Sequence, residues 1–343
     1  MTTLLAGDIG GTKTLLSLYR SRGGQLEQIA GERYLSAEWP DLASMVTRFL
    51  ADQGARNPGP PEAACFAVAG PVQGGTARLT NLHWQLSEAD LAEATGIDRV
   101  ELVNDFAVLV YGLPHLQPHQ RAVIRNGTVE AFAPLLILGA GTGLGVAIGI
   151  PVENGLQAVA SEAAHGSFAP RNEDEWQLRQ WLQQDLNLER VSIERVVSGT
   201  GLGHVARWLL ATRDPQGQHP LQSVASRWLD PGVDADQADL PAAVAAAAAA
   251  GEPLAVEALN LWLEAYGSVT GDLALACLSR GGIWLAGGTA AKLLAPLRSD
   301  RFEQAFLAKG RLRPVLEPMP VTAVTDAEIG SFSAACRARL LLA

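Results

Sequence analysis

Two short glycine-rich segments, each with a threonine, lie between predicted strands. The first reads Asp8-Ile9-Gly10-Gly11-Thr12, and the second, Gly139–Gly145, has glycine at every other position around Thr142. Without Cβ atoms, a turn lets backbone N–H groups and a threonine hydroxyl approach a phosphate closely. A plain hairpin turn explains the first segment equally well when it is taken alone. The occurrence of two such turns favours phosphate binding.

Neither segment fits a standard nucleotide-binding fingerprint. Leu144 and Val146 stand where G-x-G-x-x-G would require its third glycine, and the chain has no G-x-x-x-x-G-K-[ST]. These absences disfavour a Rossmann dehydrogenase and a P-loop NTPase. Two further glycine clusters, Ser198–Gly203 and Gly287-Gly288-Thr289, each precede a predicted helix, where small residues suit either a nucleotide or an ordinary N-cap.

Two carboxylates could serve phosphoryl transfer. Asp8, at the end of a predicted strand, could hold Mg²⁺ through water. Asn104-Asp105 follows another predicted strand, so a carboxylate there could take the proton of a sugar hydroxyl. An Asn-Asp pair before a helix is also a routine cap, which by itself is the favoured interpretation.

Glu162 and His165 are three residues apart, so on a helical turn both side chains would face the same way and could bind adjacent hydroxyls. Glu194 lies just before the Ser198 cluster. Each of these residues could equally be a solvated surface group. No cysteine follows His165 until Cys277, so a zinc site around that histidine lacks ligands.

The elements that must position these residues alternate between strands and helices, which predicts an α/β fold. Predicted strands end just before the two glycine-rich turns, Asn104-Asp105 and Gly287, and after Glu173 the pattern is mainly helical. The order of a strand, a glycine-rich turn and a second strand occurs first from Leu4 and again from Leu135, which indicates a duplicated unit. The predicted strands are Leu4–Asp8, Thr14–Tyr19, Gln28–Tyr34, Glu62–Ala69, Arg99–Val103, Leu135–Leu138, Leu144–Ile150 and Gly282–Ala286; the predicted helices include Asp41–Gln53, Ser87–Thr95, Phe106–Tyr111, Trp176–Leu186, Leu202–Ala211, Pro241–Ala250 and Pro253–Ser279.

Size and charge narrow the function classes. A chain of 343 residues is longer than one core usually organises, so two lobes are expected. A net charge of -10 without a dense basic run disfavours nucleic acid as a partner. The three separated cysteines (Cys65, Cys277 and Cys336) favour reduced thiols, and no leader or uncharged spanning stretch is evident, so a soluble cytoplasmic protein without a membrane partner is expected.

Taken together, the motifs resemble the bacterial glucokinase family, within the sugar kinase, Hsp70 and actin fold group. The resemblance spans nearly the whole chain. The cysteine-rich zinc motif of the related repressor/kinase family is absent. The matching segments are 7–12, 69–71, 79–84, 102–106, 139–145, 161–165, 168–170, 194–199 and 285–288.

The resemblance implies an α/β, two-lobed, ribonuclease H-like duplicated fold with the active site in the cleft between lobes. The small lobe would comprise residues 1–114 plus 326–343, and the large lobe residues 115–325. The implied reaction is ATP-dependent phosphorylation of glucose, with Mg²⁺, by a homodimer.

By the same resemblance, Asp105 is the catalytic base and also contacts the sugar. The implied ligands of the sugar hydroxyls are Asn104, Glu162, His165 and Glu194. The implied phosphate-binding residues are Gly7, Asp8, Ile9, Gly10, Gly11, Thr12, Gly141, Thr142 and Gly143.

Other functions remain open at this level. The acceptor could be another hexose or an amino sugar, and the donor ADP or polyphosphate, because discrimination depends on the placement of a few hydrogen bonds. A non-catalytic sugar sensor of the same fold is disfavoured by the retained Asp105. An actin-like or Hsp70-like ATPase would hydrolyse ATP without sugar.

Overall fold

The computed structural model describes residues 2–54, 59–79, 82–153, 155–228, 238–326 and 328–342. Thr80 and Asn81, in one of the segments that carry the resemblance, lie outside the described residues. The chain divides into two compact units. The first comprises Met1–Gln117, Ala147–Ala160 and Asp326–Ala343, and the second comprises Pro118–Val146 and Ser161–Thr325.

The elements alternate early in the chain and become mainly helical after Glu173. The strands are β1 Thr2–Ile9, β2 Lys13–Arg22, β3 Gln25–Leu35, β4 Ala63–Val68, β5 Val72–Gln73, β6 Thr76–Arg78, β7 Gln85–Ser87, β8 Val100–Asn104, β9 Arg121–Arg125, β10 Leu135–Ala140, β11 Leu144–Val152, β12 Gly155–Ser161, β13 Ile283–Ala286 and β14 Val321–Val324. The helices are α1 Leu42–Gly54, α2 Glu88–Thr95, α3 Leu109–Gly112, α4 Glu173–Asp185, α5 Gly199–Arg213, α6 Gln222–Trp228, α7 Leu240–Ala249, α8 Pro253–Cys277, α9 Gly288–Lys292, α10 Leu294–Leu297, α11 Asp300–Leu307, α12 Arg313–Leu316 and α13 Ile329–Leu340.

The first unit is built on a sheet in the order β3-β2-β1-β4-β8. β1, β2 and β3 form an antiparallel meander, whereas β4 runs parallel to β1, and β8 runs parallel to β4. The register pairs Ile9 with Val68 and Val68 with Asn104, so three parallel strands end at the same edge of the sheet. This edge is where the residues that follow β1, β4 and β8 come together.

Both faces of the central strands are covered. Every residue of β4 is buried, as expected for a parallel strand with helices on each side. On one face, Leu5 and Phe66 belong to a core cluster that includes Phe49 of α1 and Leu91 of α2. Helix α13 packs on β1 and β4 and also contacts α3. The sheet edge is therefore held between two packed layers.

In the second unit, β10, β13, β14 and β9 lie side by side in that order. β10, β13 and β14 are parallel, and β9 is antiparallel to β14. The long helix α8 packs against α5, α7 and α11. Its fully buried Trp262 and Tyr266 stack edge to face with each other, and Tyr266 does so with Phe302. This aromatic stack supports the start of α5, because Trp262 Nε1 donates a hydrogen bond to the carbonyl of Ser198.

Most predicted elements are confirmed, including the N-cap of α2, where Ser87 Oγ accepts from the Asp90 N–H. The predicted helix Phe106–Tyr111 is wrong at its start, because α3 begins only at Leu109. The Asn104 side chain accepts from the N–H groups of Phe106 and Ala107 and so holds a separate turn before the helix.

Among the described residues, no single helix is both long and apolar enough to cross a membrane. Helices α7 and α8 are long and apolar enough only when taken together, and they are bent by 109° relative to each other.

Candidate active site

The first glycine turn, Gly10–Thr12, joins β1 to β2 and is anchored by one serine. The Gly10 N–H donates to the Lys13 carbonyl at 3.0 Å, which closes the turn. Ser36 Oγ donates to the Gly10 carbonyl at 3.0 Å, and the Ser36 N–H donates to the Thr12 carbonyl at 3.0 Å. Two carbonyls of the turn therefore point toward the segment that follows β3.

Asp8 precedes this turn on β1 and is partly buried. Burial raises the pKa of its carboxyl, and the Arg33 guanidinium acts in the opposite direction. Arg33 itself forms an ion pair with Glu328 at 2.7 Å. A Cβ at Gly330, near the start of α13, would lie 2.8 Å from Asp8 Oδ2, so the missing side chain makes room for the carboxylate. Sequence reasoning did not single out Arg33 or Gly330, because both are far from Asp8 along the chain.

Asn104 ends β8 at the same edge of the sheet, and Asp105 follows it. Their side chains make different contacts. Asn104 caps the next turn through Oδ1, while its Nδ2 donates to the Gly70 carbonyl and to Asp105 Oδ1, both at 3.1 Å. Asp105 does not cap a helix. Its N–H donates to the Val68 carbonyl at 2.9 Å, and its side chain is exposed. The cap interpretation therefore applies to Asn104 and leaves the Asp105 carboxylate available.

The environment of Asp105 favours its neutral form. Burial by the surrounding protein and then the nearby Asp8 carboxylate raise the pKa of Asp105 to about 6, against the lowering effect of hydrogen bonds from Phe106, Asp105 and Asn104. Water still reaches the carboxylate, because the side chain is exposed on one side. A carboxyl that titrates near neutrality can accept a proton more readily than an ordinary aspartate. We call Asp8, Gly10–Thr12, Asn104 and Asp105 the first site group.

The second glycine turn, Gly141–Gly143, joins β10 to β11 in the second unit. It is closed by the Gly141 N–H, which donates to the Gly143 carbonyl at 2.8 Å. The Leu144 N–H, just after the turn, donates to Glu194 Oε2 at 2.9 Å. A Cβ at Gly143 would lie 2.5 Å from the same oxygen, so glycine permits this close contact. Glu194 is thus bonded directly to the end of a predicted phosphate turn.

Two short 3₁₀ turns bring the predicted sugar ligands of this unit together. Ala163–His165 and Ile193–Arg195 lie in contact, and the Ile193 N–H donates to the Gly166 carbonyl at 2.8 Å. Glu162 Oε2 and His165 Nε2 are 3.5 Å apart, and both side chains are exposed. The two side chains therefore face the same way, as predicted. We call Gly141–Gly143, Glu162, His165 and Glu194 the second site group.

Each site group brings together residues that are distant in sequence. Neither group contains a cluster of metal-binding side chains. Within the described part of the chain, no three His, Cys, Asp or Glu side chains lie close enough together to hold a metal ion. Mg²⁺ usually keeps several waters and is held by one or two carboxylates plus the phosphates of a substrate. Asp8 fits such a partial role, with Mg²⁺ arriving as part of the nucleotide.

Comparisons with known proteins agree with the motifs. A family model described as Glucokinase matches residues 5–341. A glucokinase of Nostoc sp. strain PCC 7120 is 42% identical over 99% of this chain and 100% of its own length, and one of Synechocystis sp. strain PCC 6803 is 41% identical over 96% of each. The crystal structure of a glucokinase from an Antarctic psychrotroph is 28% identical over 99% of both chains, with a TM-score of 0.83.

The chain belongs to the glucokinase family. The resemblance inferred from the motifs is thereby confirmed, and so is the predicted fold class, because the neighbouring solved structures are sugar kinases of this type.

Proposed function

We propose that this member of the glucokinase family transfers the γ-phosphoryl group of ATP to the 6-hydroxyl of glucose, giving glucose 6-phosphate and ADP. The proposal rests on the environment of the Asp105 carboxyl. The carboxyl is exposed, it accepts a hydrogen bond from Asn104, and its pKa is raised to about 6. Phosphoryl transfer needs a group that orients the attacking hydroxyl and takes its proton, and Asp105 is suited to both.

Asp105 accepts the proton of the sugar 6-hydroxyl as the oxygen attacks the γ-phosphorus. The bond from that phosphorus to the β-phosphate oxygen breaks, and ADP leaves with the electron pair. Asn104 supports this step by donating from Nδ2 to Asp105 Oδ1 at 3.1 Å, which limits the rotation of the carboxylate. Asn104 also remains a proposed ligand of the sugar, for which its amide would exchange one of its hydrogen bonds to the protein for one to a hydroxyl.

The remaining sugar contacts in the proposal come from Glu162, His165 and Glu194. Carboxylates accept hydrogen bonds from ring hydroxyls, and a neutral imidazole can accept one hydrogen bond and donate another. The support is the contact between the two 3₁₀ turns that carry these residues, together with the exposure of Glu162 and His165. Ligands on one rigid pair of turns keep fixed distances, which favours one arrangement of hydroxyls over its epimers.

The nucleotide phosphates are assigned to residues 7–12, which comprise the end of β1 and the first glycine turn, and to the second glycine turn, Gly141–Gly143. In each turn two carbonyls accept hydrogen bonds from a neighbouring segment, so the N–H groups of the same peptide units point away from that segment. Asp8 is the proposed protein contact of the Mg²⁺ that comes with ATP, through water. Mg²⁺ would supply neutralisation of charge on the phosphate oxygens.

Two further proposals concern the whole protein. A homodimer follows from the resemblance, and sedimentation at micromolar concentration tests it. A cytoplasmic location is supported by cysteines Cys65, Cys277 and Cys336, which are all free thiols in the structure.

A coupled assay of ADP release from Mg-ATP tests the reaction. It is run with glucose, mannose, fructose, N-acetylglucosamine and no sugar. Turnover with glucose well above all the others is the expected result. A higher rate with another sugar would reassign the acceptor, and an equal rate without sugar would indicate an ATPase. No turnover with any acceptor would contradict the proposed donor or the enzyme activity itself.

A further inference from the structure

Three consecutive carbonyls, that of Ala140 at the end of β10 and those of Gly141 and Thr142 in the second glycine turn, accept hydrogen bonds from the starts of two helices. Thr289 Oγ1, at the start of α9, donates to the Ala140 carbonyl at 2.8 Å. The Gly199 N–H, the first of α5, donates to the Gly141 carbonyl at 2.7 Å. Thr200 Oγ1, the next residue of α5, donates to the Thr142 carbonyl at 2.7 Å. Donors from two other parts of the second unit therefore anchor the whole turn.

This anchoring decides where the amides of the turn point. A trans peptide unit is planar, so its carbonyl and its N–H point in opposite directions. With the Gly141 and Thr142 carbonyls bound to α5, the N–H groups of Thr142 and Gly143 must point away from that helix. Consecutive N–H groups presented in this way form a concave site for an anion.

The helix starts can come this close only because glycine lies at the contact points. A Cβ at Gly199 would be 2.8 Å from the Gly141 carbonyl oxygen, and one at Gly287 would be 2.6 Å from the Ala140 carbonyl oxygen. Gly287 also has a φ of +82°, which disfavours other residues. The two glycines therefore allow the backbone to bring both threonines within hydrogen-bonding distance.

Helix capping does not account for the Thr200 hydroxyl. Ser198 already caps α5, because its Oγ accepts from the Gly201 N–H at 2.8 Å. Thr200 lies 58 positions from Thr142 in sequence, and its hydroxyl is bonded across that gap rather than within its own helix. Its contact thus serves the turn and not the helix.

We propose that Thr200 and Thr289 are positioning residues for the nucleotide. The Thr200 hydroxyl holds the Thr142 carbonyl away from the phosphates, so that the Gly143 amide faces them. The Thr289 hydroxyl holds the Ala140 carbonyl and so fixes the peptide unit whose Gly141 N–H closes the turn. The inference rests on the proposed role of this turn in phosphate binding. Without these donors, a peptide unit of the turn can rotate and present a carbonyl oxygen to a phosphate, which repels it.

The test compares Thr200→Val and Thr289→Val, which keep the side-chain shape and remove the hydroxyl, with Thr200→Ser and Thr289→Ser, which keep it. Each valine variant is expected to raise the KM for ATP about fivefold, and the double variant more, while the KM for glucose at saturating ATP stays within about twofold. Each serine variant should restore the ATP value. Thr212→Val is the matched control, because the Thr212 hydroxyl, on the same helix, donates only to the helix backbone.

A second measurement separates this inference from the proposed function. Amide NMR signals of Thr142 and Gly143 are followed in the wild-type protein as Mg²⁺ and the non-hydrolysable analogue AMPPNP are added. Signals that do not move would remove the turn from phosphate binding, and the inference with it. Signals that move, with an unchanged KM for ATP in both valine variants, would overturn the positioning role alone. An equal rise in both KM values without rescue by serine would make the threonines merely structural.

Discussion

In both site groups the carbonyls of a glycine turn are bound by neighbouring residues, but the residues that bind them differ. In the first, a single residue, Ser36, binds two carbonyls of the glycine turn through its hydroxyl and its backbone N–H. In the second, Thr200, Thr289 and the Gly199 N–H share that task from two helix starts. A turn that presents amides to an anion needs its carbonyls satisfied elsewhere, and the chain meets this requirement twice without repeating the residues.

The carboxylates of the two groups also differ. Asp8 and Asp105 lie close enough that the charge of one raises the pKa of the other, which suits proton transfer. Glu194 instead accepts a hydrogen bond from the Leu144 N–H and is bonded to its own turn. We infer that the first group carries the chemistry and the second group couples sugar binding to nucleotide binding.

The largest effect expected from this contrast is the loss of the base. Asp105→Asn keeps the size of the side chain but cannot accept the proton, so kcat should fall by about 10³ while the Kd for glucose changes little. Rates from the coupled assay and glucose titration by calorimetry measure the two quantities. Asp98→Asn, an exposed change in the same unit, is the control. A kcat near that of the wild-type enzyme would remove the base role from Asp105.

The next largest effect tests coupling in the second group. Glu194→Ala removes a proposed sugar ligand and also the acceptor of the Leu144 N–H, so the KM values for glucose and for ATP should both rise, each by about tenfold or more. Glu162→Ala is the matched variant, because its carboxylate contacts His165 and not the turn. It should raise only the glucose value. A Glu194 variant with an unchanged KM for ATP would break the proposed coupling.

A smaller effect is expected from the anchor of the first turn. Ser36→Ala removes the donor to the Gly10 carbonyl but keeps the backbone N–H that binds the Thr12 carbonyl, so the KM for ATP should rise about fivefold. Ser17→Ala removes another buried serine hydroxyl, on β2, and serves as the control. If the Ser36 variant binds ATP normally, the two turns are not equivalent in function.

The smallest expected effect is a shift in pH dependence. Asp105 must be ionised to accept a proton, so kcat/KM for glucose should fall as the pH drops through about 6. Because the Asp8 carboxylate raises the pKa of Asp105, Asp8→Asn should move this acid limb to lower pH, whatever its effect on the absolute rate. A limb that stays in place would show that burial alone sets the pKa of Asp105.

Much of the local structure could be predicted from the sequence. The strands around both glycine turns and the alanine-rich helix α7 follow from alternation and helix propensity, which act over a few residues. The helix predicted to begin at Leu202 begins earlier, at Gly199, because Ser198 caps it. The order of the motifs also predicted the family. Predictions failed where a side chain overrode a pattern, as at Asn104, whose cap delays the start of α3 to Leu109.

The sequence by itself determined which residues are available for the chemistry: two glycine turns, an Asn-Asp pair at a strand end, and a Glu-x-x-His segment. Only the tertiary structure decided how they act. The pKa of Asp105 depends on Asp8, and the Thr200 hydroxyl reaches a carbonyl 58 positions away. Electrostatic effects and hydrogen bonds depend on distances in space, and packing, not spacing along the chain, sets those distances.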